Sequence, residues 1–187
     1  MIRIVAIGGT VKAASTTEQA LNVAVGAARA EGAEVQVFDG AYLARLPHYG
    51  GSDHDGGQGR ELVEAVRAAD GLILAAPGYH GAVSGLVKNA LDFLEDLARD
   101  ERPYLDGRAV GLIATAYGDQ AATSTLLNLR SIIHALRGSP TPMGAAVRGE
   151  SGLFDAAGAC TNAGVTSQLA LVGRQAAFGA RALGLAA

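Results

Sequence analysis

Five polar side chains suited to anion binding stand close together near the start of the chain: Thr10, Lys12, Ser15, Thr16 and Thr17. Hydroxyl groups donate hydrogen bonds to phosphate oxygens, and the lysine adds a positive charge. The stretch leads into a predicted helix, whose N-terminal N–H groups and dipole favour a bound anion. This pattern indicates a phosphate-binding loop, although a hydroxyl-rich helix cap without a ligand has the same composition.

Two common nucleotide-binding motifs are absent from this stretch. A dinucleotide fingerprint requires Gly-x-Gly-x-x-Gly, whereas the glycines here are the adjacent Gly8 and Gly9. A P-loop requires Gly-Lys-Ser/Thr after four spacer residues, and the sequence has no such run. The loop therefore predicts neither a Rossmann dinucleotide site nor a P-loop.

A second stretch, residues 77–81 with the sequence Pro-Gly-Tyr-His-Gly, directly follows an unbroken apolar run at residues 72–76. Such a run predicts a central parallel strand, and we expect Pro77 to end it because proline has no N–H for the ladder. Gly78 and Gly81 allow the backbone to approach a flat ligand. Loops at the carboxyl ends of parallel strands are the usual ligand sites of open α/β sheets, but a tight turn alone would also use these residues.

A helix and a third loop complete the candidate site. Ser84 is predicted to cap a helix over residues 86–97, in which apolar residues recur at helical spacing. The third loop begins at Thr115, at the end of another apolar strand over residues 109–115. Tyr117 in this loop either flanks a flat ligand or merely caps the pocket.

The elements that position these loops are five short apolar strands alternating with five helices. The strands are predicted at residues 2–7, 34–38, 72–76, 109–115 and 140–147, and the helices at 18–30, 60–69, 86–97, 121–136 and 165–183. This alternation predicts an α/β fold with a doubly wound, five-stranded parallel sheet of order 2-1-3-4-5. In that order the switch point lies between strands 1 and 3, which brings the first two loops side by side.

The composition sets further limits on the 187-residue chain, which is 49% hydrophobic and 18% charged. These values, without linkers or repeats, favour one globular domain over residues 1–187. A net charge of −3 gives no basic surface for nucleic acid, and no run approaches the ~20 apolar residues of a membrane span. The first strand starts at once and leaves no room for a signal peptide, so a cytoplasmic protein is expected.

The histidines, acidic residues and cysteine do not form a specific catalytic or metal motif. Asp53, His54 and Asp55 are adjacent in a glycine-rich stretch without a partner motif, so we interpret this segment as a solvated loop. His134 falls beside the apolar stripe of its helix and is expected at the surface. Cys160 is the single cysteine, which excludes an intrachain disulfide. We predict no bound metal and no catalytic side chain.

The first two loops together resemble a known family. Residues 77–81, followed by Ser-Gly-Leu-Val-Lys-Asn-Ala-Leu-Asp at 84–92, are similar to the flavin-ring loop and helix of NADPH-dependent FMN reductases. Ala82 stands where that family usually has serine. Residues 10–17 resemble its phosphate loop, Gly-Ser-x-Arg-x-x-Ser-x-Asn/Thr, with Lys12 in place of the arginine. The third loop resembles its second ring-contacting loop.

The resemblance implies a flavodoxin-like three-layer sandwich that binds FMN and transfers a hydride to it from NADPH, or from NADH. It implies that the following residues bind the cofactor: Thr10, Lys12, Ser15, Thr16, Thr17, Pro77, Gly78, Tyr79, His80, Gly81, Thr115, Tyr117 and Gly118. Backbone N–H groups near Tyr79 would stabilise negative charge on the reduced ring. His80 either contacts the ring or substrate, or only fixes the backbone. A flavodoxin-like electron carrier and an FMN-containing quinone or azo reductase are the alternative functions.

The resemblance also implies a homodimer or homotetramer that pairs through the helix after the ring loop. Apolar residues cover that helix widely enough to place Phe93 outside the core, unless Phe93 packs under a neighbouring loop. Reduced FMN would pass to a separate flavin-dependent monooxygenase. No nucleic-acid or membrane partner is expected.

Overall fold

The computed structural model describes residues 1–51 and 57–184, which build a parallel sheet with helices on both faces. Its five parallel strands are β1 (Arg3–Gly8), β2 (Glu34–Phe38), β3 (Gly71–Tyr79), β4 (Ala109–Ala116) and β5 (Ser139–Arg148). The spatial order is β2-β1-β3-β4-β5, as the sequence predicts. Strands β1, β3 and β4 are almost continuously buried and take the centre, whereas the mixed burial of β2 and β5 suits the edges.

Helices cover the sheet in two layers. Within the described residues they are α1 (Thr16–Ala30), α2 (Gly40–Leu43), α3 (Gln58–Arg67), α4 (Gly85–Asp92), α5 (Asp119–Ala135) and α6 (Ala163–Gly184). Successive strand side chains point to opposite faces, so Ile4 and Ala6 join the core under α1 and α6, while Val5 and Ile7 join the core under α3, α4 and α5. This arrangement confirms the flavodoxin-like three-layer sandwich.

The path of β3 past Pro77 differs from the sequence prediction. The strand continues through Pro77 to Tyr79, turns, and pairs with a short antiparallel strand at Ala82–Val83. The neighbouring β1 pairs no further along β3 than Gly8 with Ala75. The missing N–H of Pro77 therefore removes no bond from the ladder on that side, and the prediction that Pro77 ends the strand is wrong.

Phe93 lies in the core, where it begins a 3-10 turn that continues α4 to Leu97. Its side chain is 2% exposed, and its ring packs edge-on against Tyr49 with 5.3 Å between centroids. Asn89 on α4 holds the same segment, because its Oδ1 accepts from Tyr49 N at 2.9 Å and its Nδ2 donates to Pro47 O at 2.9 Å. The expectation that Phe93 lies outside the core is wrong, and the alternative that it packs under a neighbouring loop is confirmed, since the segment at Tyr49 covers it.

Tyr49 is also anchored at its hydroxyl. The hydroxyl donates to Asp96 Oδ1 at 2.9 Å. Burial, and then this hydrogen bond to a carboxylate, raise the pKa of Tyr49 to about 12.

Upstream, the short helix α2 is an element that the sequence did not predict. Asp39 caps it by accepting from Tyr42 N at 2.8 Å.

The structure bears on the metal and membrane predictions only for the residues that it describes. Asp53, His54 and Asp55 lie outside the described residues. Across residues 1–51 and 57–184, no three His, Cys, Asp or Glu side chains are grouped as a metal site. None of the helices in these two ranges has the length and apolar character needed to cross a membrane. His134 is exposed, as predicted.

Candidate functional site

Three loops meet at the carboxyl edge of the sheet around one cavity of about 270 Å³. They are the loops that follow β1, β3 and β4, which the sequence singled out separately. The wall consists of Thr10, Lys12, Ser15, Thr16, Thr17, Pro77, Gly78, Tyr79, Thr115, Ala116, Tyr117 and Gly149. The strand order explains the meeting, because β1, β3 and β4 are neighbours and their carboxyl ends share one edge.

The loop after β1 uses most of its polar groups to fix its own shape. Ser15 caps α1 by accepting from Glu18 N at 3.3 Å. Glu18 in turn accepts from Ala14 N at 2.9 Å, and Ala14 has the left-handed φ of 53°. Thr10 Oγ1 forms two 3.1 Å hydrogen bonds with the backbone N and O of Lys12. The N-terminus of α1 is thus presented at the cavity by a loop that is already folded.

Lys12 brings positive charge to this end of the cavity. Its side chain is exposed and forms no ion pair with another described residue. Thr16, in the first turn of α1, lines the same wall. An unpaired lysine beside a helix N-terminus and hydroxyl groups is an arrangement that attracts a phosphate group.

Thr17 and Thr115 join the first and third loops. Their hydroxyl oxygens lie 2.6 Å apart, and the two residues are only 2% and 4% exposed. Thr17 belongs to the first turn of α1 and Thr115 to the end of β4. This buried hydrogen bond holds the two loops in register across the floor of the cavity.

The loop after β3 is a tight β-hairpin. Tyr79 pairs with Ala82, and the two residues between them, His80 and Gly81, have φ angles of 55° and 83°. Two consecutive residues with positive φ are typical of a type I′ turn, which fits the twist of the flanking strands. The hairpin closes with Ser84 N donating to Pro77 O at 3.1 Å. The backbone of Pro77 to Tyr79 is thereby held along one side of the cavity.

The structure does not bring every predicted site residue to the cavity wall. His80 and Gly81 form the hairpin turn, and Gly118 precedes the first residue of α5. Sequence reasoning missed Ala116 and Gly149, which do line the wall. Gly149 follows β5, so the rule that ligands lie at the carboxyl ends of parallel strands was the signal that would have found it.

A smaller, largely apolar pocket of about 150 Å³ adjoins the cavity. It shares Thr10, Pro77 and Tyr79 with the cavity and is completed by Gly9, Val11, Ser84, Gly85 and Leu86. Two of its three hydroxyl groups already have partners, since Thr10 bonds to Lys12 and Ser84 Oγ accepts from Val87 N at 3.3 Å; the third belongs to Tyr79. The pocket therefore suits an apolar group better than a polar one.

The chemistry of the wall fits FMN. The loop after β1 gives the wall a lysine, hydroxyl groups and the N-terminus of α1, which suit a phosphate. The ends of β3 and β4 give it Tyr79, the hairpin backbone and Tyr117, which is 90% exposed and available to a flat ring. Among the described residues that line the cavity, none carries a carboxylate that would repel the phosphate.

A sheet of this order, with a loop suited to an anion after β1 and two tyrosines on the wall of the same cavity, defines a flavodoxin-like protein with a candidate mononucleotide site. The family model for NADPH-dependent FMN reductase matches residues 2–152. The chain therefore belongs to the NADPH-dependent FMN reductase family, a family of oxidoreductases whose cofactors are FMN and NADPH.

Individual relatives agree with this assignment. The FMN-dependent NADPH-azoreductase of Staphylococcus aureus strain USA300 is 40% identical over 83 residues, which are 44% of this chain and 40% of the azoreductase. The chain thus matches less than half the length of this curated relative.

Solved structures resemble nearly the whole chain. FerB, a flavoenzyme NAD(P)H:(acceptor) oxidoreductase from Paracoccus denitrificans, has a TM-score of 0.76 and 17% identity, covering 97% of this chain and 98% of FerB. The apo form of the NADH:FMN oxidoreductase EMOB has a TM-score of 0.71 and 25% identity, covering 95% of this chain and 89% of EMOB. At 17% identity, the likeness to FerB shows the fold.

Proposed function

We propose that this protein is an NADPH-dependent FMN reductase that transfers a hydride from NADPH to FMN. The observation that carries the proposal is the meeting of three loops around one cavity whose wall combines groups suited to an anion with aromatic side chains. Bound FMN supplies the redox chemistry, and the protein binds and orients it. In this proposal the chain acts as one FMN-binding domain.

The two ends of FMN are bound by different groups of the chain. Lys12, the hydroxyl groups of the first loop and the N-terminal N–H groups of α1 hold the phosphate. Tyr79 and Tyr117 would flank the ring, and the backbone of residues 77–81 and 115–118 would lie along its edge. N–H groups there would stabilise negative charge on the ring when it accepts a hydride, as in an oxyanion hole. The proposal needs no side chain as a general acid or base.

The test is NADPH consumption by the purified protein in air, with and without added FMN, and with NADH in parallel. An FMN reductase consumes NADPH rapidly, and the rate saturates with FMN. FMN binding without consumption, seen as quenched flavin fluorescence, would instead identify an electron carrier that another enzyme reduces. Neither binding nor consumption would overturn the flavin assignment.

Reduction of an aromatic acceptor such as a quinone or azo compound is a second candidate function. The adjoining apolar pocket favours it, because about 150 Å³ is the volume of a cavity that holds one benzene ring. The azoreductase named above is a relative with such an activity in its name. Val11 lines this pocket and not the FMN cavity, so Val11→Ser should raise KM for the aromatic acceptor while leaving FMN binding unchanged. An unchanged KM would remove the pocket from the acceptor site.

Assembly and cellular role complete the proposal. We propose a homodimer or homotetramer, because exposed apolar side chains line the cavity and the adjoining pocket: Val11, Tyr79 and Tyr117. Sedimentation at micromolar concentration tests this, and a monomer would contradict it. Reduced FMN would serve a flavin-dependent monooxygenase in the cytoplasm. Co-purification of an oxygenase activity that depends on this reductase tests that role.

A further inference from the structure

One face of α5 supports the hairpin that follows β3. Ser124, Thr125 and Asn128 lie within one helical turn, on the side of α5 that meets the hairpin. Asn128 Oδ1 accepts from Val83 N at 3.1 Å, on the returning strand. A Cβ built on Gly81 would lie 3.5 Å from Ser124 Oγ. The hairpin is thus in contact with polar side chains of α5 along its length.

Thr125 is the unusual member of this face. It is completely buried, and its Oγ1 is the one buried side-chain oxygen without a hydrogen-bond partner in the part of the chain that the structure describes. A buried hydroxyl without a partner lowers stability, and valine would fill the same volume without that penalty. The hydroxyl therefore calls for a functional explanation.

The position of this hydroxyl points to the cofactor loop. A Cβ on Gly78 would lie 2.3 Å from Thr125 Oγ1, so only glycine lets the loop backbone approach so closely. Gly78 also lines the cavity assigned to FMN. A single glycine of the loop is therefore in contact with both the unpaired hydroxyl and the cavity.

We infer that Thr125 is a positioning residue for FMN, an inference that rests on the proposed function. With FMN bound, the Thr125 hydroxyl donates its hydrogen bond to a backbone carbonyl oxygen of the cofactor loop, that of Gly78 or Tyr79. This bond fixes the backbone groups that lie along the flavin ring. Thr125 touches the loop and not the cofactor, so it acts through Gly78.

The test compares FMN affinity with the stability of the FMN-free protein in three variants. Thr125→Val removes the hydroxyl at constant volume, and it should weaken FMN binding roughly five- to tenfold, as for one lost hydrogen bond, without lowering the unfolding midpoint. Thr125→Ser keeps the hydroxyl, and its FMN affinity should stay within about twofold of the wild type despite the lost methyl group. Flavin fluorescence quenching gives the affinity, and urea unfolding gives the midpoint.

Thr141→Val is the matched control. Thr141 is buried near the start of β5, away from the carboxyl edge, and its hydroxyl donates to Met143 O at 2.8 Å. This variant should lower the unfolding midpoint and leave FMN affinity unchanged, which is the opposite pattern to Thr125→Val.

Two results would overturn the inference while the proposed function stands: a wild type that binds FMN no better than Thr125→Val, or a Thr125→Ser variant as weak as Thr125→Val. The second result would assign the effect to packing of the methyl group. A wild type that binds no FMN would overturn this inference and the proposed function together.

Discussion

The hydroxyl oxygens of Thr17 and Thr115 lie 2.6 Å apart, in a buried hydrogen bond between residues 98 positions apart in the sequence. The bond connects the first turn of α1, where we propose that the phosphate binds, with the end of β4, beside which we propose that the flavin ring lies. Both residues line the cavity. The two ends of the proposed FMN site are therefore coupled through the protein itself and not only through the ligand.

Thr17→Val should destabilise the FMN-free protein by about 1–3 kcal/mol, because it leaves the Thr115 hydroxyl buried without a partner. The double variant Thr17→Val/Thr115→Val should cost less than the sum of the two single variants, since it leaves no unpaired hydroxyl. Urea unfolding of the four proteins measures this coupling. Strictly additive losses would show that the hydrogen bond contributes no stability.

The hairpin turn should be sensitive to loss of Gly81. Its φ of 83° is left-handed, and a Cβ there would meet no atom closer than 3.5 Å, so the conformation and not the available space requires glycine. Gly81→Ala should cost roughly 1–2 kcal/mol of stability and weaken FMN binding. Gly81→Val should do so more strongly, because valine is β-branched.

Gly26→Ala is the control for this prediction. Gly26 lies within α1, its φ is not positive, and a Cβ added there would meet no atom within 4 Å. The same change should therefore stabilise the protein by about 0.5–1 kcal/mol, with FMN affinity unaltered. If Gly81→Ala also kept full FMN affinity, the hairpin geometry would not matter for the cofactor.

Lys12 should distinguish FMN from riboflavin, which lacks the phosphate. Lys12→Gln should weaken FMN binding roughly fivefold to tenfold by removing one charge contact, and should leave riboflavin binding unchanged. Lys12→Arg should match or exceed the wild type for FMN, because guanidinium binds phosphate with two parallel hydrogen bonds. Fluorescence titrations at two salt concentrations measure these affinities. An equal loss for both flavins would place Lys12 away from the phosphate.

The alkaline stability of the protein should depend on Tyr49. Its pKa is raised from 10.0 to about 12 in the folded chain, first by burial and then by the hydrogen bond to Asp96. The unfolded chain loses the phenolic proton at lower pH, so the contribution of Tyr49 to stability is complete below about pH 10 and is lost as the pH rises towards 12. Tyr49→Phe should flatten this part of the pH–stability curve. A pH–stability slope that is the same in Tyr49→Phe as in the wild type would contradict the raised pKa of Tyr49.

Much of the fold and of the candidate site followed from local sequence. Unbroken apolar runs mark β1, β3 and β4 as central strands, and the loop at Thr10–Thr17 and the hairpin at Pro77–Gly81 lie at the carboxyl ends of β1 and β3. These features depend on neighbouring residues and on the order of elements along the chain. The strand order then brought the loops together, because β1, β3 and β4 are neighbours whose carboxyl ends share one edge of the sheet.

What the sequence did not reveal depends on partners that are distant in the chain. Pro77 is tolerated inside β3 because β1 ends beside Ala75, and Phe93 is buried because the segment at Tyr49 covers it. Thr125 gives no local signal at all, since its meaning arises from contact with Gly78 across 47 positions. Such contacts are set by tertiary packing, which the pattern of one helix or strand does not encode.

The most direct test of the account is anaerobic rapid mixing of NADPH with the FMN-loaded protein, followed at the flavin absorbance band. Bound FMN should bleach at a rate that saturates with NADPH and exceeds the rate for free FMN. Bleaching no faster than that of free FMN would contradict the assignment of this chain as an NADPH-dependent FMN reductase.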